Sequence, residues 1–285
     1  MTGPNKSVSY LDSHVHFWDL ERGDYHWLKP ENPVLYRNYL SSDYFENEAA
    51  AALNRLIAVQ AAHTTAETEY LLELAENDCR IAGVVGWLDP FADSFEEDYL
   101  LFRTYPRFVG IRLDHTVFNR CAELIPDRLL SNLQRLEQDQ FAVDLLFGPD
   151  QMQAVVRCLR LVPNLKAVLN HMGAPPISTG HLQPWSSHID ELARCPNVYC
   201  KWSGMITPAG GVNPQLLLAF IRHTAERFGP DRIIFGSDWP VSLQAGSLAD
   251  VLQLFEQLLP PEWMPSQHAA IRRTNAERFY LGIEE

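Results

Sequence analysis

The chain has 285 residues, and its 36 acidic side chains outnumber its 23 basic ones to give a formal net charge of −13. So acidic a surface repels nucleic acid and anionic membranes, and we expect neither as a partner. The length suits one (β/α)8 barrel, and the expected partner is a small molecule.

Eight short apolar runs, rich in β-branched residues, recur along the chain and predict strands. They span residues 8–16, 56–62, 81–88, 108–114, 141–147, 166–171, 198–203 and 232–238. Between them apolar residues recur at helical spacing, as in 217–228 and 248–259. Asn213 and Pro214 suit the N-cap and first position of the helix that precedes the last strand.

Strands that alternate with helices predict parallel βαβ units, and eight such units predict closure into a barrel. We therefore predict the α/β class, a (β/α)8 TIM barrel, with residues 1–285 as a single catalytic domain. An open doubly wound sheet is the alternative fold. That fold usually carries a glycine-rich loop after its first strand, where this chain has His-Val-His at 14–16.

Residues 17–54 form a stretch longer than a usual loop between two strands, and it is rich in aromatic side chains. We predict a structured excursion over the mouth of the barrel. The alternative is a peripheral flap that takes no part in binding.

The predicted strand ends carry an unusual set of polar side chains, and in a TIM barrel the carboxyl ends of strands form the active site. His14 and His16 end the first strand and point to the same side, because side chains alternate along a strand. His171 ends the sixth strand and Asp238 the eighth. Imidazoles and a carboxylate gathered there can bind a metal or orient a polar substrate.

Two cationic side chains lie in predicted strands. Arg112, in the apolar fourth strand, is expected to bind a carboxylate or carbonyl oxygen of the substrate. A buried ion pair with Asp114 or Asp144 is the alternative. Lys201, in the seventh strand, is expected to protonate a leaving alkoxide, unless its side chain extends outward to solvent.

Further polar and aromatic residues are candidates for substrate binding, with packing in the core as the alternative for some of the tryptophans. They are Gln60, Trp27, Trp87, Trp239 and Ser203. Three other histidines near strand ends or the mouth are secondary candidates, namely His63, His26 and His115.

Five cysteines stand at irregular spacing without a Cys-x-x-Cys pair, which is typical of free thiols in a reducing compartment. Residues 1–9 lack the apolar segment of a secretory signal, and no apolar run is long enough to predict a transmembrane helix. We expect a cytoplasmic protein. Homo-oligomerisation is compatible with the sequence.

Three motifs resemble those of the amidohydrolase superfamily: His-Val-His at 14–16, His-Met-Gly at 171–173 and Gly-Ser-Asp-Trp-Pro at 236–240. The chain is similar to the amidohydrolase-2 type, within it to the sugar-lactone hydrolase (L-fuconolactonase-like) group, with pyrone-dicarboxylate lactonases as cousins. Tyr-His-Trp-Leu at 25–28, Lys-Trp-Ser-Gly at 201–204 and Asn-Ala-Glu-Arg-Phe-Tyr at 275–280 extend the resemblance over nearly the whole chain.

The chain departs from the pattern of that superfamily at three strand ends. Asn170 stands before His171 where the family often has Asp, and Arg112 replaces the bridging Lys of binuclear members. The fifth strand offers Asp144 and no His. The last two departures argue against a two-metal centre. Two alternatives remain: one divalent metal, preferably zinc, on His14, His16 and Asp238, or a metal-independent site.

The resemblance implies a hydrolase that opens a lactone ring, such as a sugar lactone, with Asp238 as the general base on water. His14, His16 and His171, or a cation that they hold, would stabilise the developing oxyanion. An alternative is a metal-dependent nonoxidative decarboxylase of an aromatic or unsaturated acid. An alternative of another class is a noncatalytic barrel that binds sugar acids.

Overall fold

Eight parallel strands, paired in chain order, form one sheet that curls into a barrel in the computed structural model, which describes residues 9–283. The strands are β1 (Tyr10–Val15), β2 (Leu53–Val59), β3 (Ile81–Gly86), β4 (Phe108–Leu113), β5 (Ala142–Leu145), β6 (Ala167–Leu169), β7 (Val198–Trp202) and β8 (Ile233–Phe235). The predicted TIM barrel is confirmed. Val8, the predicted start of the first strand, lies outside the described residues.

The last strand meets the first through a short contact beyond the end of β8, which nearly closes the barrel. Val15 and Trp239 form an isolated parallel bridge. The amide of His16 donates to the Trp239 carbonyl (2.8 Å), and that of Asp238 donates to the His14 carbonyl (2.9 Å). The closure therefore joins the two segments that carry the predicted metal ligands.

Helices lie between the strands, as the periodicity predicts. They are α1 (Ser41–Phe45), α2 (Thr65–Asn77), α3 (Phe95–Phe102), α4 (His115–Asn119), α5 (Asp127–Gln138), α6 (Met152–Leu161), α7 (Trp185–Leu192), α8 (Ile206–Ala209), α9 (Pro214–Phe228), α10 (Leu248–Leu258) and α11 (Pro265–Ala269). Asn213 caps α9 by accepting from the Leu216 amide. No described helix has both the length and the apolar character to cross a membrane.

Apolar side chains fill two layers on opposite faces of the sheet. The larger core packs the strands against the helices and includes Leu56 and Val84. The smaller core takes the alternate positions Ile57 and Val85, so it lies inside the barrel. Phe279, from the last helical turns (Glu277–Leu281), also packs there. The carboxyl end of the barrel is left for polar groups.

The excursion at 17–54 contains α1 and two 3-10 turns, Leu20–Arg22 and Glu48–Ala52. Hydrogen bonds fix it to the segment that follows β2, including one from Thr64 Oγ1 to Asp24 Oδ2 (2.8 Å). Tyr25 Oη donates to Glu67 Oε2 (2.8 Å), and Trp27 Nε1 donates to the Ala61 carbonyl (2.7 Å). These contacts bring the excursion to the carboxyl end of the barrel, where Trp27 reaches the cavity described below.

Candidate active site

Three histidines converge on one carboxylate at the carboxyl end of the barrel. Asp238 Oδ1 lies 3.7 Å from His14 Nε2, 3.6 Å from His16 Nε2 and 3.9 Å from His171 Nε2. His14, His16 and Asp238 are buried. The structure thus brings together all four residues that the strand-end argument singled out.

The backbone bends sharply where two of these residues leave the sheet. His171 has φ of 51° and Asp238 has φ of 61°, a left-handed conformation that non-glycine residues adopt rarely. Such strain is often stored at functional sites. β6 ends at Leu169 and β8 at Phe235, earlier than the apolar runs predicted, so His171 and Asp238 lie beyond the ends of their strands.

Gly204 makes room for the His171 ring. A Cβ at Gly204 would lie 2.5 Å from His171 Nδ1, which no side chain tolerates, and the residue has φ of +59°. Ser203 Oγ lies 2.9 Å from the same Nδ1 and hydrogen-bonds to it. Ser203, predicted to bind substrate, therefore instead holds the His171 ring in place.

The donor set of His14, His16 and Asp238 fits one metal ion. Their ligand atoms all lie within 4.8 Å of one another. His16 Nδ1 lies 2.7 Å from the Val59 carbonyl and donates to it, which leaves the Nε2 lone pair free toward Asp238. His14 Nε2 is buried without a hydrogen-bond partner in the described part of the chain, as expected of an atom that binds a metal ion.

Lys201 lies beneath this cluster and is fully buried. Its Nζ donates to Asp144 Oδ2 (2.7 Å) and the Ser13 carbonyl (2.9 Å), and lies 3.2 Å from His14 Nδ1. Lys201 does not extend to solvent, so that alternative is wrong, and it does not line the cavity. Its contacts orient the His14 ring. While charged, Lys201 places the proton of neutral His14 on Nε2, and a cation bound there would displace that proton.

No carboxylate of the described residues lies within ion-pair distance of Arg112. The alternative of a buried ion pair with Asp114 or Asp144 is therefore wrong. Arg112 Nη2 donates to the Gln60 carbonyl (2.6 Å), and its Nε has no partner among residues 9–283. The guanidinium lines the cavity beside Asp238. It is therefore available to a substrate oxygen.

The electrostatics of the cluster favour neutral imidazoles around a charged carboxylate. Burial lowers the pKa of His14, His16 and His171. Burial alone would raise the pKa of Asp238, but His171, His16 and Arg112 together hold it below its usual value. Asp238 is thus ionised at neutral pH and can accept a proton.

A cavity of about 320 Å³ opens above the cluster. It is lined by His16, Trp27, Ala61, His63, Arg112, Asp114, His115, Leu146, His171, Asp238 and Val241. Asp114 was not predicted to line the substrate cavity, and His63 and His115 were predicted only as secondary candidates for the site. All three follow the ends of β2 or β4, so the strand-end rule could have found them.

Four predicted substrate-binding residues do not line the cavity, in contrast to Trp27: Ser203, described above, and Gln60, Trp239 and Trp87. Gln60 is fully buried and contributes its carbonyl to Arg112. Trp239 is buried and packs against the aromatic rings of the excursion. Trp87 stacks on His63, with ring centroids 6.1 Å apart. His26 is also absent from the lining.

A barrel with two histidines at the end of its first strand, a histidine after the sixth and an aspartate after the eighth is the architecture of an amidohydrolase. The amidohydrolase family model matches residues 11–281, and the chain belongs to this family. The resemblance drawn from the motifs is thereby confirmed.

Two curated relatives are L-fucono-1,5-lactonases. The one from Burkholderia ambifaria is 32% identical over 282 residues, which is 95% of this chain and 94% of the relative. The one from Burkholderia multivorans is 32% identical over 283 residues, which is 95% of each chain. A crystal structure of a B. multivorans amidohydrolase with bound zinc matches with a TM-score of 0.86 and 31% identity, over 96% of this chain and 99% of that one.

Proposed function

We propose that the protein is a carboxylic-ester hydrolase that opens the ring of a sugar lactone. The observation that carries this proposal is an ionised carboxylate, Asp238, set among three neutral imidazoles and beside Arg112 at the cavity. The two curated lactonases support it. Neither the decarboxylase nor the noncatalytic alternative is favoured by these relatives.

The reaction uses the side chains in distinct roles. Asp238 takes a proton from a water molecule, whose oxygen attacks the carbonyl carbon of the lactone. Arg112 and the His171 imidazole, which both line the cavity, stabilise the negative charge that develops on the carbonyl oxygen. The bond from that carbon to the ring oxygen then breaks, and the ring oxygen receives the proton held by Asp238. The product is an open-chain hydroxy acid.

A metal ion at the site would assist this reaction. His14, His16 and Asp238 would hold one divalent cation, preferably zinc, which would polarise the carbonyl as a Lewis acid. His171 and Arg112 orient the substrate with or without that ion. The cytoplasmic location and homo-oligomeric assembly stay predictions from the sequence.

Acid release tests the proposal directly. Purified protein is mixed with a panel of aldonolactones in weak buffer with a pH indicator, with and without a chelator. We expect proton release above the spontaneous rate on at least one lactone, and Asp238→Asn should lower kcat by roughly 10²–10⁴.

Loss of the rate with chelator, and its return with zinc, would establish the metal as part of the reaction. Unchanged rates would assign the chemistry to the side chains alone. A parent enzyme that accelerates no lactone, or an Asp238→Asn variant as fast as the parent, would refute the proposed reaction.

A further inference from the structure

One wall of the cavity carries a histidine–carboxylate pair that the proposed mechanism does not use. His63 follows β2, Asp114 follows β4, and both line the cavity. His63 Nε2 lies 2.6 Å from Asp114 Oδ2. The His63 side chain is 43% exposed, whereas that of Asp114 is almost fully buried.

Both members of the pair are held in place by other groups. Asp114 is the N-cap of α4, and its Oδ1 accepts from the Thr116 amide (2.9 Å) and from Thr116 Oγ1 (2.5 Å). Trp87 stacks on the other partner, with its plane 17° from that of the His63 ring. Such fixed geometry is what recognition of a ligand requires, because little side-chain freedom is lost on binding.

The pair has a defined hydrogen-bonding polarity. Burial raises the pKa of Asp114, but its contacts with His63 and Thr116 lower the pKa by more than burial raises it. The group therefore stays a carboxylate. A carboxylate only accepts hydrogen bonds, so Nε2 of His63 carries the proton that faces Asp114. Nδ1, which no described residue contacts as a hydrogen-bond partner, is then left to hydrogen-bond with a hydroxyl group.

The charge on this wall also selects among ligands. A free carboxylate on the lactone would be repelled by the fixed negative charge of Asp114, and this repulsion would weaken binding. A neutral hydroxyl group would not be repelled. Trp27 adds a surface for the carbon skeleton of a sugar. Its Nε1 is committed to the Ala61 carbonyl, so its cavity-facing contact is made by the ring.

We infer that His63, positioned by Asp114, binds ring hydroxyl groups of the substrate. The site is thereby selective for neutral, polyhydroxylated lactones over lactones that lack hydroxyl groups or carry a free carboxylate. This inference rests on the proposed function and names the substrate class of the same site. Loss of one such hydrogen bond at a partly exposed position should cost about tenfold in discrimination.

The first test compares kcat/KM for the best aldonolactone of the panel with that for δ-valerolactone, a six-membered lactone without hydroxyls. His63→Phe should reduce the ratio of the two about tenfold, chiefly through KM, and His63→Gln, which keeps a hydrogen-bonding group, should retain part of it. His181→Phe, at an exposed histidine away from the cavity, is the matched control. An unchanged ratio in His63→Phe would overturn the inference.

The second test removes the charge of Asp114. Asparagine caps a helix as well as aspartate does, so Asp114→Asn should keep α4 intact. We expect the parent enzyme to prefer a neutral aldonolactone over the corresponding lactone with a terminal carboxylate, and Asp114→Asn to narrow that preference severalfold. An identical preference in both proteins would contradict the charge argument.

A binding measurement separates failure of this inference from failure of the proposed reaction. Calorimetry with the 1,5-lactam of an aldonic acid and with δ-valerolactam needs no turnover. Preference for the hydroxylated lactam that is weakened in His63→Phe would uphold the recognition even in a protein that opens no lactone. Equal binding of the two lactams by the parent protein would overturn it.

Discussion

Asp238 keeps a negative charge in a place that excludes most water. Burial works against the ionised form, and the neighbouring His171, His16 and Arg112 more than offset it. A carboxylate so placed is ready to remove a proton or to bind a cation. Both roles use the carboxylate oxygens of Asp238, so whether the residue binds a metal ion can be tested directly.

Metal binding should depend on the three proposed ligands. Titration of metal-free protein with zinc in a calorimeter should show one ion per chain. His16→Ala should weaken binding by at least about 100-fold, since even outer-shell partners of a metal contribute 10–100-fold. The exposed His181→Ala is the control. Zinc affinity in His16→Ala equal to that of the parent would rule out this site.

Glu67 couples the excursion to pH. Burial raises its pKa from the ordinary 4.5 to about 7, although the Ala61 amide and Tyr25 hydroxyl stabilise the charge. Because the folded protein binds this proton more tightly than the unfolded chain, the free energy of unfolding should fall as pH rises from about 4.5 to 7, by on the order of 3 kcal/mol.

Glu67→Gln should remove that dependence while keeping an acceptor for the Ala61 amide. We expect the variant to gain stability relative to the parent between pH 5 and about pH 7, measured as urea midpoints across that range. Parallel midpoints at every pH would show that Glu67 does not carry the raised pKa.

At the scale of elements, strand ends do more than terminate hydrogen bonding. β6 and β8 stop where His171 and Asp238 take left-handed backbone conformations, and the segment after β7 supplies Ser203 and Gly204 against the His171 ring. Three neighbouring strands therefore cooperate to place one imidazole. A small change in the middle one should disturb the site without unfolding the barrel.

Gly204→Ala is that change. The new methyl would overlap the His171 ring, and a displaced catalytic group typically costs about 10²-fold in rate. The matched control is Gly180→Ala, because Gly180 has a similar φ of +68° but nothing within 4 Å of the added carbon. Circular dichroism checks the fold of both. Equal kcat/KM in the two variants would contradict the packing argument.

The whole molecule is held together inside the barrel by a buried polar network as well as by apolar packing. Lys201 on β7 pairs with Asp144 on β5, and Tyr280 from the C-terminal turns donates to the other Asp144 oxygen (2.6 Å). The network links β5 and β7 to the C-terminal turns, which pack inside the barrel. It also reaches His14, so stability and catalysis share these residues.

Breaking this pair should be costly. Lys201→Met leaves Asp144 buried without its cation, which should lower the free energy of unfolding by about 3–5 kcal/mol. Adding Asp144→Leu removes the unpaired charge and should recover part of the loss. Chemical denaturation of the three proteins measures both effects. A single variant as stable as the parent would show that the pair is not a structural link.

The architecture of the barrel and the four residues at the centre of the site follow from the amino-acid sequence. Strand and helix periodicities are local, so eight alternating units predicted the barrel, and residues that end strands predicted His14, His16, His171 and Asp238 as neighbours. The family motifs fall on the same positions, and the family match confirms the resemblance drawn from them.

The roles of the side chains around that centre depend on contacts that exist only in the folded barrel. Lys201 and Trp239 are buried behind the cavity, Ser203 supports a histidine, and His63 with Asp114 forms a wall. Sequence spacing gives the side of a strand on which a residue lies, but not the neighbours that the other strands bring against it. Those neighbours are fixed by the register and closure of the barrel, because contacts between distant segments exist only once the sheet has curled.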